Sequence, residues 1–285
     1  MGQDYETYTF ETVQTINLNL YLYRTTAEVS KGTILYLHGG GLVYGSAHDL
    51  PSEYMQQINK AGYHLVAIAY PLAPEVKLDI IIRAVSNGIK WFQEHAQTEM
   101  GLEDSRYILF GRSAGAYLAV NAAHELTQKP DALWLFYGYH TLRDASFQVP
   151  SRHYLTYTKV TEQLVKQLTQ STPLIEGPKQ SRFALYIYYR QSGKWIADIL
   201  PPDKKALDFS LTPKDLQTLP PAFLTASQSD PDVPYRLSKT MAQHIPNSVF
   251  ETVDSDEHDF DRLTVDGIGK DIYGKALAFL NTVVS

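Results

Sequence analysis

Arg106-Tyr107-Ile108-Leu109-Phe110-Gly111-Arg112-Ser113-Ala114-Gly115-Ala116-Tyr117-Leu118-Ala119 is the stretch whose reading decides the fold. Its first half is an apolar, aromatic run that reads as a buried strand. The run breaks at Gly111 and restarts at Ala114 with good helix formers. Between them lies Ser113 in a G-x-S-x-G spacing, the pattern of a nucleophile elbow. A strand that turns straight into a helix forces the serine into a tight backbone conformation, and the neighbouring chains approach that closely only where Cβ is missing, at Gly111 and Gly115. The turn lifts Oγ clear of the sheet, and the new helix aims its free N–H groups and positive end at the same point.

Outward from the elbow, strands and helices alternate. Toward the N-terminus, Thr33–Leu37 and Tyr63–Tyr70 read as buried strands, and Pro51–Ala61 and Ile80–His95 as helices. Toward the C-terminus, Ala132–Tyr137, Ala222–Ala226 and Ser248–Val253 are further strands, with helices at Leu237–His244 and Lys270–Val283. This alternation predicts an α/β fold, a mostly parallel sheet covered on both faces by helices. The early runs Tyr8-Thr9-Phe10 and Leu18–Tyr23 alternate with period two and predict an antiparallel edge. Residues 139–218 break the rhythm. They are polar and tyrosine-rich, with helical pieces near Thr161–Thr169 and Phe183–Leu200. We read them as a helical cap inserted over the strand ends, with residues 1–138 and 219–285 forming the core.

Composition narrows the function. The chain has 285 residues, 44% hydrophobic, enough for one large core. Its net charge is −6 and no basic run stands out, which argues against a nucleic-acid partner. With no cysteine, disulfides and a thiol nucleophile are both excluded. No apolar run approaches the roughly 18 residues of a membrane span, and the polar, acidic start Met1–Glu6 lacks the pattern of a signal peptide. Met1-Gly2 is no myristoylation signal, because Glu6 stands where Ser or Thr is needed. A cytoplasmic protein is expected, with a homodimer left open.

A serine needs a base, and the base needs an orienting acid. On this kind of sheet the order is Ser, then Asp or Glu, then His. The acid falls in Ser227-Gln228-Ser229-Asp230-Pro231-Asp232-Val233-Pro234, just beyond a strand. Asp230 is preferred to Asp232 because it lies nearer the strand end, where catalytic groups cluster; Asp232 is expected to cap the following helix or to stabilise the turn. His258, a short loop after the last core strand, is the base. The acidic residues around it either raise its pKa or form a solvated run. The third component is His38-Gly39-Gly40-Gly41, directly after a strand. Consecutive glycines let backbone N–H groups face inward, so Gly40, Gly41 and the Ala114 N–H are the expected oxyanion hole. A phosphate-binding loop would need a lysine and spacing that this loop lacks. His38 is expected to fix the loop.

Taken together, these residues resemble the α/β-hydrolase superfamily, and within it the hormone-sensitive-lipase-like esterases, which pair an H-G-G-G loop with a later G-x-S-A-G elbow. Tyr70-Pro71-Leu72-Ala73-Pro74-Glu75 is similar to that family's Y-x-L-A-P-E segment. The resemblance implies Ser113 as nucleophile, His258 as base and Asp230 as acid. It also implies hydrolysis of a small-molecule carboxylic ester through an acyl-enzyme, with no metal or cofactor. Three positions depart from the pattern. Arg112 stands where aspartate is usual in the elbow, Asp259 stands where glycine is usual after the base, and D-P-D-V-P is closer to the acid segment of peptidases related to prolyl oligopeptidase. The first two bear on substrate preference or pKa. The third keeps a peptidase or amidase as the alternative reading, alongside a non-catalytic ligand-binding homologue. The 20 tyrosines, many near the insertion, suit either lid packing or an acyl or sugar pocket. Deacetylation of a small or sugar-borne acetyl ester is the narrower expectation.

Overall fold

The computed structural model describes residues 4–263 and 265–284. Among them, eight strands form one sheet in the order β1-β2-β4-β3-β5-β6-β7-β8. β1 (Glu6–Val13) and β2 (Ile16–Tyr23) are an antiparallel hairpin, and β2 also runs antiparallel to β4 (Tyr63–Ile68). From there on every pairing is parallel: β4 with β3 (Gly32–Leu37), then β5 (Tyr107–Arg112), β6 (Ala132–Phe136), β7 (Ala222–Ser227) and β8 (Val249–Val253). The antiparallel edge and parallel centre follow from the two hydrophobic patterns. β4, β5, β6 and β7 are buried at every position, as unbroken apolar runs demand.

Helices cover both faces. α1 (Ser52–Lys60) supplies Tyr54, Met55 and Ile58 to the core on one face, joined by residues of the C-terminal helix. α2 (Leu78–His95) and α3 (Ala114–Glu125) pack on the other, with Ile81, Val85, Ile89 and the alanines of α3 against the sheet. The alternation inside β4 makes the division plain: Leu65 and Ala67 point to the first core, Val66 and Ile68 to the second.

Between β6 and β7 run α4 (Glu162–Leu168), α5 (Lys179–Ser192), α6 (Trp195–Ile199) and α7 (Pro213–Leu216). The sequence reading placed one helical piece over Phe183–Leu200. Instead α5 starts earlier, after Pro178, and ends at Gly193, whose φ of 72° stops it before α6 begins. Glycine takes that left-handed turn without a Cβ penalty. After β7 come α8 (Tyr235–His244), then β8, α9 (Phe260–Leu263) and α10 (Lys270–Val283). α10 contributes Ile272, Tyr273 and Phe279 to the first core. Among the described residues, no helix is long and apolar enough to cross a membrane.

Candidate active site

Ser113 sits between β5 and α3 at φ 53°, ψ −118°, the strained turn that its spacing predicts. The neighbouring glycines make room for it. A Cβ on Gly111 would lie 2.2 Å from Gly115 O, and a Cβ on Gly115 would lie 2.1 Å from Leu37 O. The Ser113 N–H donates to Phe136 O at 2.8 Å, which ties the elbow to β6.

Three loops then converge on the serine. His258, between β8 and α9, places Nε2 2.9 Å from Ser113 Oγ and Nδ1 2.6 Å from Asp230 Oδ2. With the proton on Nδ1, Nε2 is free to accept from the serine hydroxyl. The Asp230 side chain is fully buried. Its other oxygen accepts from the N–H groups of Asp232 and Val233 at 2.8 and 2.9 Å, so the loop holds the carboxylate in one orientation. Ser227 Oγ donates to Glu257 O at 2.6 Å, which fixes the histidine loop against the end of β7. Tyr137 presents its ring edge-on to the imidazole, 4.9 Å between centroids.

The third loop is His38–Gly41. Gly40 and Gly41 have φ of 102° and 58° and line the cavity at Ser113. The Gly40 carbonyl is turned away, accepting from Val43 and Tyr44 at 3.0 Å. His38 is buried, stacks on Tyr70 at 4.1 Å and carries Nδ1 2.7 Å from Gly39 O. It fixes the loop and does not reach the serine as a second base.

The residues around the histidine separate into two kinds. Asp254, Asp256 and Glu257 are exposed and solvated, whereas Asp259 is half-buried beside the ring. Burial alone would lower the pKa of His258. The adjoining Asp230, with Asp232 and Asp259 behind it, outweighs burial and pushes the pKa up to about 9. Asp259 is held below the usual carboxylate range. Burial opposes this, but His258, Lys179 and Arg262 favour its charge.

One expectation is corrected. Asp232 neither caps α8 nor braces the turn with its side chain; the N-cap position is Pro234 and no side chain caps the helix. The Asp232 carboxylate turns into the β6–β7 segment, accepting from Tyr154 and Tyr186 hydroxyls at 3.0 Å and lying 3.3 Å from Arg190 Nε. A buried acid with three donors near it is better satisfied there than at a solvated helix end. Arg112, read as bearing on substrate preference or pKa, lines the cavity at Ser113 and is among the charges that favour ionised Asp259; its side chain is 1% exposed and pairs beneath the elbow with the buried Asp261 at 2.9 Å. Tyr137 and Tyr273 hydroxyls complete the Asp261 shell at 2.7 and 3.1 Å.

Sequence reasoning named Tyr186 only as one of several insertion tyrosines suited to lid packing or a pocket, and it missed Arg190 and Trp195. Trp195 Nε1 donates to Gly41 O at 2.9 Å, and the Tyr186 ring packs so closely on Gly41 that a Cβ there would lie 2.2 Å from it. Arg190 donates to Asp232 O at 3.1 Å and sits among the rings of Phe147, Tyr154, Tyr186 and Trp195. An arginine in a run of tyrosines was the one local hint; its partner is distant in sequence.

Comparison with known proteins agrees with this fold. A family model described as alpha/beta hydrolase fold matches residues 34–260. A Staphylococcus aureus subsp. aureus Mu50 protein of unknown function superposes with a TM-score of 0.87 at 33% identity, covering 98% of this chain and 100% of that one. An α/β-hydrolase superfamily protein from Enterococcus faecalis gives 0.84 at 30%, covering 98% and 99%. Among characterised relatives, Lipase 2 of Moraxella sp. (strain TA144) is 31% identical over 36% of this chain and 24% of its own length. Arylacetamide deacetylase of Oryctolagus cuniculus is 29% identical over 44% and 32%. Ethyl acetate hydrolase of Pseudomonas putida is 29% identical over 47% and 43%. The matched stretch therefore spans less than half the length of each of these three relatives. The chain belongs to the α/β-hydrolase superfamily and to its hormone-sensitive-lipase-like esterase and lipase family.

Proposed function

We propose that this protein is a serine carboxylesterase acting on short-chain esters, with Ser113 as nucleophile, His258 as base and Asp230 as orienting acid. The observation that carries the reading is the unbroken line from Ser113 Oγ to His258 at 2.9 Å and from His258 to Asp230 at 2.6 Å, opening beside Gly40 and Gly41. Among the described residues, the N–H groups of Gly40 and Gly41 have no hydrogen-bond partner, which suits donors waiting for an oxyanion. The residue 139–218 insertion serves as the lid.

The reaction balances without a cofactor. Ser113 Oγ bonds to the ester carbonyl carbon while its proton passes to His258 Nε2. The N–H groups of Gly40, Gly41 and Ala114 hold the oxyanion, and the imidazolium protonates the leaving alcohol as the C–O bond breaks. Water then repeats the sequence on the acyl-enzyme, releasing the acid and restoring the serine hydroxyl. Throughout, Asp230 keeps the imidazole in the working tautomer.

The test is hydrolysis of p-nitrophenyl acetate, butyrate and decanoate by the wild type and by Ser113→Ala. Turnover by the wild type that drops by roughly 10⁶ in the variant is expected. If Ser113→Ala kept more than a tenth of the activity, Ser113 would not be the nucleophile. If the folded wild type turned over none of the esters, the amidase and ligand-binding readings would replace this one.

A further inference from the structure

Ser113 and His258 each have a near neighbour in the chain that reaches the same buried point. Arg112, next to the serine, and Asp261, three residues beyond the histidine, pair at 2.9 Å with side chains 1% and 0% exposed. A buried ion pair adds little net stability over apolar side chains of the same shape. What it adds is direction, because each of its hydrogen bonds fixes a partner in place.

Both members of the pair are aimed at one phenol. The Tyr137 hydroxyl accepts from Arg112 Nε at 2.7 Å and donates to Asp261 Oδ1 at 2.7 Å. Its one proton is committed to a carboxylate, so it is no acid for chemistry at Ser113. The backbone of Tyr137 is fixed as well. Its φ is 41°, which a non-glycine residue keeps only where its surroundings hold it, and its N–H donates to Thr225 O on β7 at 2.7 Å. Asp261 is itself anchored to two helices: its carbonyl accepts from Tyr54 on α1 at 2.6 Å, and its Oδ2 from Tyr273 on α10 at 3.1 Å.

The ring held in this way lies against the base. Tyr137 lines the cavity at Ser113, meets the His258 imidazole edge-on at 4.9 Å and meets Phe260 edge-on at 5.7 Å. An imidazole turns about two side-chain bonds, and hydrogen bonds at Nδ1 and Nε2 restrain it only while both are made. The Nε2 bond to the serine is given up during acyl transfer, as the proton moves from Ser113 to Nε2 and on to the leaving oxygen. At that stage Asp230, through Nδ1, and the Tyr137 ring still aim the imidazole.

We propose that Tyr137 is a positioning residue of this site: clamped by the buried Arg112–Asp261 pair, its ring holds the His258 imidazole in line with Ser113 and Asp230. This rests on the serine-esterase reading above. Arg112 and Asp261 act through Tyr137.

The experiment compares the wild type, Ser113→Ala, Tyr137→Phe, Arg112→Lys, the Tyr137→Phe/Arg112→Lys double variant and Tyr273→Phe. It measures kcat and KM on p-nitrophenyl acetate, the melting temperature, and the low-field proton resonance of the His258 Nδ1–H, which reports the short hydrogen bond to Asp230 without substrate. Tyr137→Phe keeps the ring and frees it from the pair. Arg112→Lys keeps a charge opposite Asp261 but has no donor in place of Nε. Each lowers kcat by roughly 10–10²-fold, the scale of a misplacement of up to about 1 Å, with KM unchanged and the resonance broadened. The double variant falls no further than the worse single variant, because both changes act on one hydroxyl. Tyr273→Phe takes a donor from the same carboxylate on the core side, so it lowers the melting temperature and leaves kcat and the resonance as they are. If Arg112→Lys fails to fold, Tyr137→Phe decides alone. Wild-type kcat and resonance in Tyr137→Phe overturn the inference. So does a loss of kcat in Tyr273→Phe equal to that in Tyr137→Phe, which marks a merely structural site. Both results leave Ser113-dependent hydrolysis standing, whereas a wild type without Ser113-dependent turnover refutes the esterase reading and this inference with it.

Discussion

Ser113→Gly is expected to make the protein more stable than Ser113→Ala. Ser113 holds φ 53°, ψ −118°, a conformation that costs an L-residue about 1–3 kcal/mol. The strain cannot relax, because the backbone is gripped on both sides: the N–H by Phe136 O, and the carbonyl by Ala116 and Tyr117 N–H groups at 2.9 and 3.2 Å. Both substitutions lose the hydroxyl contact with His258, so that loss cancels between them. Alanine keeps Cβ and keeps the strain; glycine sheds it. Against this, glycine gives the unfolded chain extra freedom worth about 0.5–1 kcal/mol. The net difference is about 1 kcal/mol in favour of glycine. For 285 residues the unfolding entropy is about 0.6 kcal/mol per kelvin, so the glycine variant melts about 2 °C higher. The assay is calorimetry on the two variants side by side at one scan rate. A glycine variant that melts no higher than the alanine variant would refute the claim that the elbow stores backbone strain for the sake of the nucleophile.

Asp230→Asn leaves the geometry but removes the charge that sets the imidazole tautomer, and kcat falls by about 10⁴. Asp232→Asn breaks a buried ion pair, costing roughly 3–5 kcal/mol of stability by denaturant titration while kcat stays within about tenfold; the reverse pattern would exchange the two roles. With the His258 pKa raised from 6.5 to about 9, kcat/KM climbs with pH and levels off only above about 9, because the base must be neutral. Asp259→Asn removes one of the charges responsible and moves that limb downward by roughly half a pH unit. The same pairing stabilises the fold fully below 6.5, and this contribution is lost as pH rises through about 9. In Asp230→Asn the melting temperature should therefore fall less over that interval. Gly41→Ala places a Cβ 2.2 Å from the Tyr186 ring at a φ of 58°, displacing an oxyanion donor and lowering kcat by roughly 10²–10³. An unchanged kcat would remove Gly41 from the hole.

What could be read in the sequence was short-range. The elbow, the glycine loop and the order of Asp230 and His258 after their strands depend on spacings of a few residues and on the period of the strands themselves. Gly193 was read through as part of one helical piece, and the polar start of α5 before Phe183 has no apolar period to announce it. Arg112 is the clearest case of what a local reading cannot see. Next to the nucleophile in sequence, its side chain is committed to Asp261, a partner 149 residues on. A carboxylate and three phenols from four separate elements create that interior polar site, and no local pattern encodes it.

The same limit explains why the insertion looked like a covering and is wired as a brace. Its two helices α5 and α6 reach both flanks of the serine. Trp195 holds the carbonyl of Gly41, on the oxyanion side, and Arg190 holds the carbonyl and carboxylate of Asp232, on the side of the acid loop. Tyr186 bridges them, its ring on Gly41 and its hydroxyl on Asp232. A further buried arginine, Arg182, ties α5 to Glu75 at 2.8 Å and to the carbonyls of Val43 and Ala73 at 2.9 Å. That gives the Tyr70–Glu75 segment a structural reason to carry its acid. Catalytic groups must stay within a fraction of an ångström of their working positions, and in this chain the His38–Gly41 loop and the Asp230–Asp232 loop lean on the same pair of helices. On the proposed function, an insertion attached in this way sets the space at Ser113 and the alignment of Ser113, His258 and Asp230 together. Changes in α5 that enlarge the substrate range should therefore lower kcat on acetate as well.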